Sequence, residues 1–262
     1  MKEITSTQNP ELKTLVKLHD RRHRRKEGKF LIEGAREASR ALLAGVEVEK
    51  LYFCEGFFSP EALELYQDFD AVEQVRLSRP AFEKISLREN PDGILALAVL
   101  PEFDLQELHL SEQALVLVLQ GLEKPGNLGA LLRTADGVGV DAVFITGEGT
   151  DLYNPNVIRA SQGSVFTQPV HAVQDEELLD FLKQSSFTIL AATPHTQKTY
   201  WEADYSGPTA ICLGTEHEGL SEFWMHQATE QVVIPMQGTA DSLNVGIAGA
   251  LLLYEALRQR KH

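Results

Sequence analysis

The chain has only two cysteines in 262 residues, Cys54 and Cys212, each in an apolar setting. Two thiols offer no disulfide framework, and the expected state is a pair of buried free thiols in a reducing compartment. No apolar run approaches the roughly 18 residues that a membrane-spanning helix needs. The opening Met1-Lys-Glu-Ile-Thr-Ser6 lacks the apolar core of a secretory signal, so a cytoplasmic setting with no membrane partner is expected. Internal repeats and low-complexity tracts are missing, as are a Walker A loop and a Gly-x-Ser-x-Gly elbow. Gly147-Glu-Gly149 lacks the third glycine of a dinucleotide fingerprint. His19 and His23 have the i,i+4 spacing of metal ligands but sit in a cationic run with no acidic partner, so no metal site is expected.

Positive charge is also scarce: 24 Lys and Arg stand against 38 Asp and Glu, a net charge of −14. The distribution matters more than the sum. Residues 1–40 hold eleven basic and six acidic residues, and the remainder holds thirteen and thirty-two. A basic head on an acidic body is the result. The densest run, Arg21-Arg-His-Arg-Arg-Lys26, reads either as a solvated helix face or as a set of phosphate contacts made by Arg21, Arg22, Arg24, Arg25 and Lys26, whose binding would weaken with salt.

Hydrophobic residues make up 43% of the chain, enough for an ordinary core. Leu12, Leu15, Val16 and Leu18 predict one amphipathic basic helix over 11–26. Short apolar strands at 30–32, 50–54, 72–77 and 94–99 alternate with helical patterns from Gly34 to Gly45, over 60–66 and over 80–87. This alternation predicts a small α/β domain over residues 1–104. The polar stretch 101–113 reads as a linker. A second domain over 105–262 follows, with strands at 115–119, 142–145, 187–191, 210–213 and 231–234. These are apolar on both faces and separated by helical segments, which predicts a parallel sheet covered on both sides.

Three stretches of the second half carry the candidate chemistry. In Glu123-Lys-Pro-Gly-Asn-Leu-Gly-Ala-Leu-Leu-Arg133, a strand runs into a Gly/Pro turn and Asn127 is placed to cap a helix. Arg133 lies off its apolar face and can lean back over Ala130 and Gly129 towards the anion-favouring helix mouth. Gly214-Thr-Glu-His-Glu-Gly-Leu-Ser221 follows an apolar strand and places Glu216 at its carboxyl end, with Gly214 and Gly219 free to approach closely or take positive φ. In Val232-Val-Ile-Pro-Met236 and Ser242-Leu-Asn-Val245, a strand stops at Pro235 and a helix starts near Ser242, capped by Asp241 or Ser242. Gly246 and Gly249 cost that helix roughly 1 kcal/mol each, which points to close packing or a ligand. Asn154 to Gly163 reads as a further capped helix, from which Arg159 could meet a phosphate. Taken singly, each stretch is as well explained by ordinary capping and packing. All three lie where open α/β sheets bind ligands.

Together the three stretches resemble the signature motifs of the SpoU/TrmH branch of the SPOUT RNA 2′-O-ribose methyltransferases, over most of residues 115–258. Asn127 and Arg133 match the first motif, Gly214, Glu216, Gly219 and Leu220 the second, and Ile234-Pro-Met and Ser242-Leu-Asn-Val the third. Thr215 and His217 depart from the usual Asn and Gly. A histidine in place of glycine would resist positive φ and alter the loop around Glu216. Ile4-Thr-Ser, Asn9-Pro and Phe30-Leu-Ile-Glu-Gly34 resemble the opening of members that carry an L30e-like RNA-binding domain.

The resemblance implies a SPOUT domain with a deep trefoil knot, a topology that ordinary folding rules disfavour. It implies a homodimer with a shared active site. S-adenosylmethionine (AdoMet) would be held by Gly214, Ile234 and Leu243, with Leu213, Thr215, Met236 and Asn244 close by. The substrate would be a structured RNA, rRNA or tRNA. Family members assign the ribose proton to the motif-one arginine, here Arg133. A guanidinium keeps its proton above about pH 12, so Arg133 could instead clamp phosphate while Glu216 accepts the proton through water. Asn127, Ser242 and Asn244 complete the candidate catalytic set. The competing expectations are an RNA-binding protein of the same fold without activity, and a nucleotide-binding α/β enzyme of other chemistry.

Overall fold

A computed structural model describes residues 2–261. The chain divides into two compact units, one formed by 1–102 with 151–167 and the other by 103–150 with 168–262. In chain order, the first unit begins with β1 (Lys2–Ile4), α1 (Pro10–Lys17), α2 (Arg21–Glu27), β2 (Lys29–Glu33), α3 (Ala35–Leu43) and β3 (Val48–Phe53). It continues with α4 (Pro60–Leu65), β4 (Glu73–Leu77), α5 (Arg79–Ile85) and β5 (Ile94–Val99). The second unit opens with β6 (Leu115–Gln120), α6 (Pro125–Val138) and β7 (Ala142–Thr146). Two short helices, α7 (Pro155–Ala160) and α8 (Ser164–Thr167), then belong with the first unit. The second resumes with β8 (Val170–Ala172), α9 (Asp175–Gln184), β9 (Thr188–Ala192), β10 (Thr209–Leu213), α10 (Glu222–Gln227), β11 (Glu230–Val232) and α11 (Val245–Arg260).

The first unit is built on a mixed five-stranded sheet in the order β1-β4-β3-β5-β2, with β3–β5 and β2–β5 antiparallel. The single helix expected over 11–26 is two helices. Asp20 breaks it, taking extended φ/ψ (−89°, 134°) and accepting from the amides of Arg22 and His23 to cap α2. Residues 151–167, expected within the second domain, pack instead on β2 and α3. Arg24 anchors them. Its guanidinium is 2% exposed and donates to Asp151 Oδ2 from Nε (2.9 Å) and Nη2 (2.6 Å). Its Nη1 donates to the carbonyls of Leu18 and His19, each at 2.8 Å.

The second unit holds an all-parallel six-stranded sheet in the order β11-β9-β10-β6-β7-β8. Strands β6, β7 and β10 are buried along nearly their whole length, as their unbroken apolar runs require. Helix α11 packs on α6 and β10. A Cβ on Gly249 would fall 2.3 Å from Leu131 Cδ2 and 2.9 Å from Leu213 Cδ1, so close packing accounts for that glycine. The stretch read as a linker is partly folded. Leu105 is buried in a short turn capped by Asp104, Leu108 and Leu110 pack on the core, and Phe103 stacks on His171 with ring centroids 3.4 Å apart.

Candidate active site

The carboxyl end of β10 turns into a loop whose geometry is set by two glycines. Thr215 and Gly219 exchange backbone hydrogen bonds (3.0 and 3.1 Å), and the Thr215 hydroxyl accepts from the Glu218 amide at 2.9 Å. Gly219 takes φ +69°, and a Cβ on Gly214 would lie 2.0 Å from the Gly219 carbonyl. No larger residue fits at 214 without opening the loop. His217 does not take positive φ, a conformation found outside glycine only at Gln162 and Ser186 among the described residues. The histidine is therefore accommodated without the strain its position suggested, because Gly219 supplies the left-handed step.

The loop presents Glu216 to the other two motifs. Its Oε1 accepts from Asn127 Nδ2 (2.8 Å) and Asn244 Nδ2 (2.7 Å), and Lys124 Nζ bonds Oε2. The Asn244 amide also donates to Asn127 Oδ1 at 3.2 Å. The Lys124 and Asn127 hydrogen bonds, in that order, hold the Glu216 carboxyl below the usual carboxylate range. A carboxylate that accepts three donors is a weak proton acceptor and a strong tether. Both asparagines differ from expectation in detail. Lys124 is the cap residue of α6, which starts at Pro125, so Asn127 lies inside the first turn and turns its side chain to Glu216. Asn244, not Asp241 or Ser242, caps α11: its Oδ1 accepts from the Gly246 amide at 2.9 Å.

Beside Glu216 lies a cavity of about 850 Å³. Leu213, Gly214, Thr215, Ile234, Met236, Ser242 and Leu243 all line it, as does Glu216 itself. Three further lining residues, Thr193, Pro194 and His195, were not anticipated; they follow β9, the neighbouring parallel strand, at its carboxyl end. The size suits a nucleoside-sized ligand. Leu213, Leu220, Ile234 and Leu243 offer apolar walls for a base. The charged lining residues are Glu216, Glu218 and Asp241, with no lysine or arginine, which suits a cofactor carrying sulfonium and ammonium groups.

Residues 114–254 match the model of the SpoU rRNA methylase family. The chain belongs to that family. Residues 9–96 match a second model, the MRM3-like substrate binding domain. Among SpoU relatives, the chain is 32% identical to the 23S rRNA (guanosine(2553)-2′-O)-methyltransferase RlmP of Bacillus subtilis, over 97% of this chain and 98% of that one. A solved RNA 2′-O ribose methyltransferase is 50% identical, with a TM-score of 0.87 over 99% of this chain and all of the other. The SpoU methyltransferase AviRb from Streptomyces viridochromogenes, solved in complex with AdoMet, is 28% identical with a TM-score of 0.90 over 97% and 99% of the two chains. AdoMet is the cofactor of this SpoU family, and the cavity's size, walls and charge fit it.

The remaining SpoU-motif residue, Arg133, is exposed on α6. It lies outside the cavity lining and makes no ion pair among the described residues. Ser242 is exposed at the cavity edge. In the first unit, Arg21, Arg22, Arg25 and Lys26 are exposed on α2, and Arg159 is exposed on α7. Arg24 departs from the expected phosphate contacts: its buried bond to Asp151 takes the guanidinium out of reach of a phosphate.

Proposed function

We propose that the chain transfers the methyl group of AdoMet to a ribose 2′-hydroxyl of a structured RNA, rRNA or tRNA. One observation carries this reading: the Asn127–Glu216–Asn244 junction, where all three SpoU motifs meet on one carboxylate beside a nucleoside-sized cavity. AdoMet supplies a methyl group activated by a sulfonium. Gly214, Ile234 and Leu243 hold it, with Leu213, Thr215 and Met236 around them; Asn244, expected beside the cofactor, lines the groove along α11 instead and bears on the cavity through its hydrogen bond to Glu216. Glu216 keeps the walls in register as a permanent anion, which weakens its case as the proton acceptor. Arg133 clamps the ribose and its phosphate, a bidentate task for a planar guanidinium. Arg133→Lys keeps the charge and loses the fork, so methyl transfer should fall strongly while calorimetric AdoMet affinity holds. Near wild-type transfer would remove Arg133 from the reaction.

A homodimer is part of the proposal. On α11, Ile247, Leu251 and Tyr254 are 55%, 38% and 54% exposed at helical spacing, and with Ala130 of α6 they line an apolar groove. Arg133 is one turn beyond Ala130. A second copy seated there would bring its own Arg133 to a cavity that has no arginine. The family's trefoil knot belongs to the same reading; its support is that β11 pairs with β9 rather than β10, while α11 returns to pack on β10 and α6. In the first unit, Arg21, Arg22, Arg25, Lys26 and Arg159 would meet RNA phosphates. The match to a substrate binding domain and the local positive charge support that role.

A further inference from the structure

We propose that Gln120, which no motif includes and which lies outside the cavity lining, is a positioning residue that fixes the exit of the Gly214–Leu220 cofactor loop through Ser221. Gln120 is the last residue of β6, and both ends of its amide are in use. Its Oε1 accepts from the Ser221 amide at 2.8 Å, and its Nε2 donates to Ser221 Oγ at 2.9 Å and to Asp175 Oδ2 at 3.2 Å. Asp175 Oδ1 in turn accepts from Nε1 of the buried Trp224 at 2.6 Å, so the network is seated in the core of the second unit.

The behaviour of Ser221 shows what this arrangement gives up. Ser221 is the cap residue of α10, with extended φ/ψ (−61°, 159°), and serine is among the best residues there. It nonetheless makes no cap hydrogen bond, and its hydroxyl faces Gln120. The helix forgoes its cap so that the loop end is tied to β6. The residue after β6 reaches the loop's other end: Gly121 takes φ +66°, and a Cβ there would come within 3.1 Å of Thr215 Cγ2. The turn after β6 thus touches both ends of the loop that carries Glu216. Holding the loop before the cofactor arrives removes an ordering cost from binding. Only an amide serves: a glutamate would lose the two donated bonds and set a second carboxylate beside Asp175.

The inference rests on the reading that the cavity holds AdoMet, so the test carries a control for it. In the full chain, Gln120→Met keeps the side chain's volume and removes its hydrogen bonds. Leu243→Arg places a long cation inside the cavity from an irregular segment. Without the loop's tether, the AdoMet Kd of Gln120→Met should rise by about tenfold, the scale of one or two net hydrogen bonds. The KM for RNA should stay within about twofold, and amide exchange should quicken at 215–219 but not in β10. Ser221→Ala removes the Oγ hydrogen bond without costing α10 a cap, so the same shift to a smaller degree is expected even if Gln120→Met folds poorly. If Leu243→Arg abolishes AdoMet binding while Gln120→Met and Ser221→Ala stay at the wild-type Kd, Gln120 has no positioning role and the cavity reading stands. If Leu243→Arg also binds AdoMet normally, the cavity reading itself fails and takes the inference with it.

Discussion

Asp151→Ala should destabilise the first unit sharply although Asp151 lies far in sequence from the fold's basic head. Its carboxylate neutralises Arg24, whose guanidinium is 2% exposed. Removing one partner of a buried pair costs about 3–5 kcal/mol, because the survivor is left charged and dry. Two features reduce that figure. Asp151 keeps 19% of its side-chain exposure, and Arg24 retains the carbonyls of Leu18 and His19. A loss of about 2–3 kcal/mol remains, which for a unit of this size lowers Tm by roughly 10 °C. The assay is thermal and urea unfolding of Asp151→Ala, Arg24→Met and the double variant, with RNA binding followed against salt. Arg24→Met should destabilise less than Asp151→Ala, because it leaves no buried cation, and should keep the wild-type salt slope. Arg25→Ala with Lys26→Ala should leave Tm in place and flatten the slope by about 0.7–0.9 for each phosphate that is no longer neutralised. Wild-type stability in Asp151→Ala, together with a flattened slope in Arg24→Met, would show that Arg24 meets phosphate and is no buried anchor.

Glu216, held as an anion by Lys124 and Asn127, should titrate below the ordinary carboxylate range; its contribution is present at neutral pH and lost only as pH falls through that lowered value. A carboxyl-carbon NMR titration that puts its midpoint at or above the model-peptide value refutes the tether. Burial pushes the His171 imidazole down to about 4. The unfolded chain therefore binds the extra proton first, so stability should fall as pH drops from about 6.5 towards 4, and His171→Gln should remove that slope in pH-dependent unfolding. Leu251→Glu with Tyr254→Glu should yield monomers by sedimentation and abolish transfer; an active monomer would end the shared-site proposal. Gly214→Ala should raise the AdoMet Kd by tenfold or more in calorimetry, since its Cβ would overlap the Gly219 carbonyl, and an unchanged Kd would contradict the closed loop.

The parallel sheet was legible because its strands are apolar on both faces, a pattern that only full coverage by helices explains. The three motifs were legible because polar residues and glycines recur just after those strands. What escaped was set by distant partners. Nothing in Arg21-Arg-His-Arg-Arg-Lys26 marks Arg24 as the buried one, because Asp151 is 127 residues away. Asp241, Ser242 and Asn244 are all good caps, and only the pull of Glu216 and the Gly246 amide selects Asn244. Asn127 has the chemistry of a cap but spends its amide on Glu216. Thr193 to His195 carry no motif and become cavity walls only because β9 lies beside β10. The sequence does not say which residue of the loop takes the left-handed step; Gly219 takes it, so His217 needs no positive φ.

The proposed activity is methylation of ribose 2′-oxygens from a cavity organised by Glu216 and served by Arg133. Incubating the protein with total RNA and AdoMet carrying an isotopically labelled methyl group, followed by nucleoside mass spectrometry, tests it directly. Label should appear on the 2′-oxygen of a single nucleoside species and should be absent with Arg133→Ala, although that variant still binds AdoMet. Label on a base, or full labelling by Arg133→Ala, would contradict it.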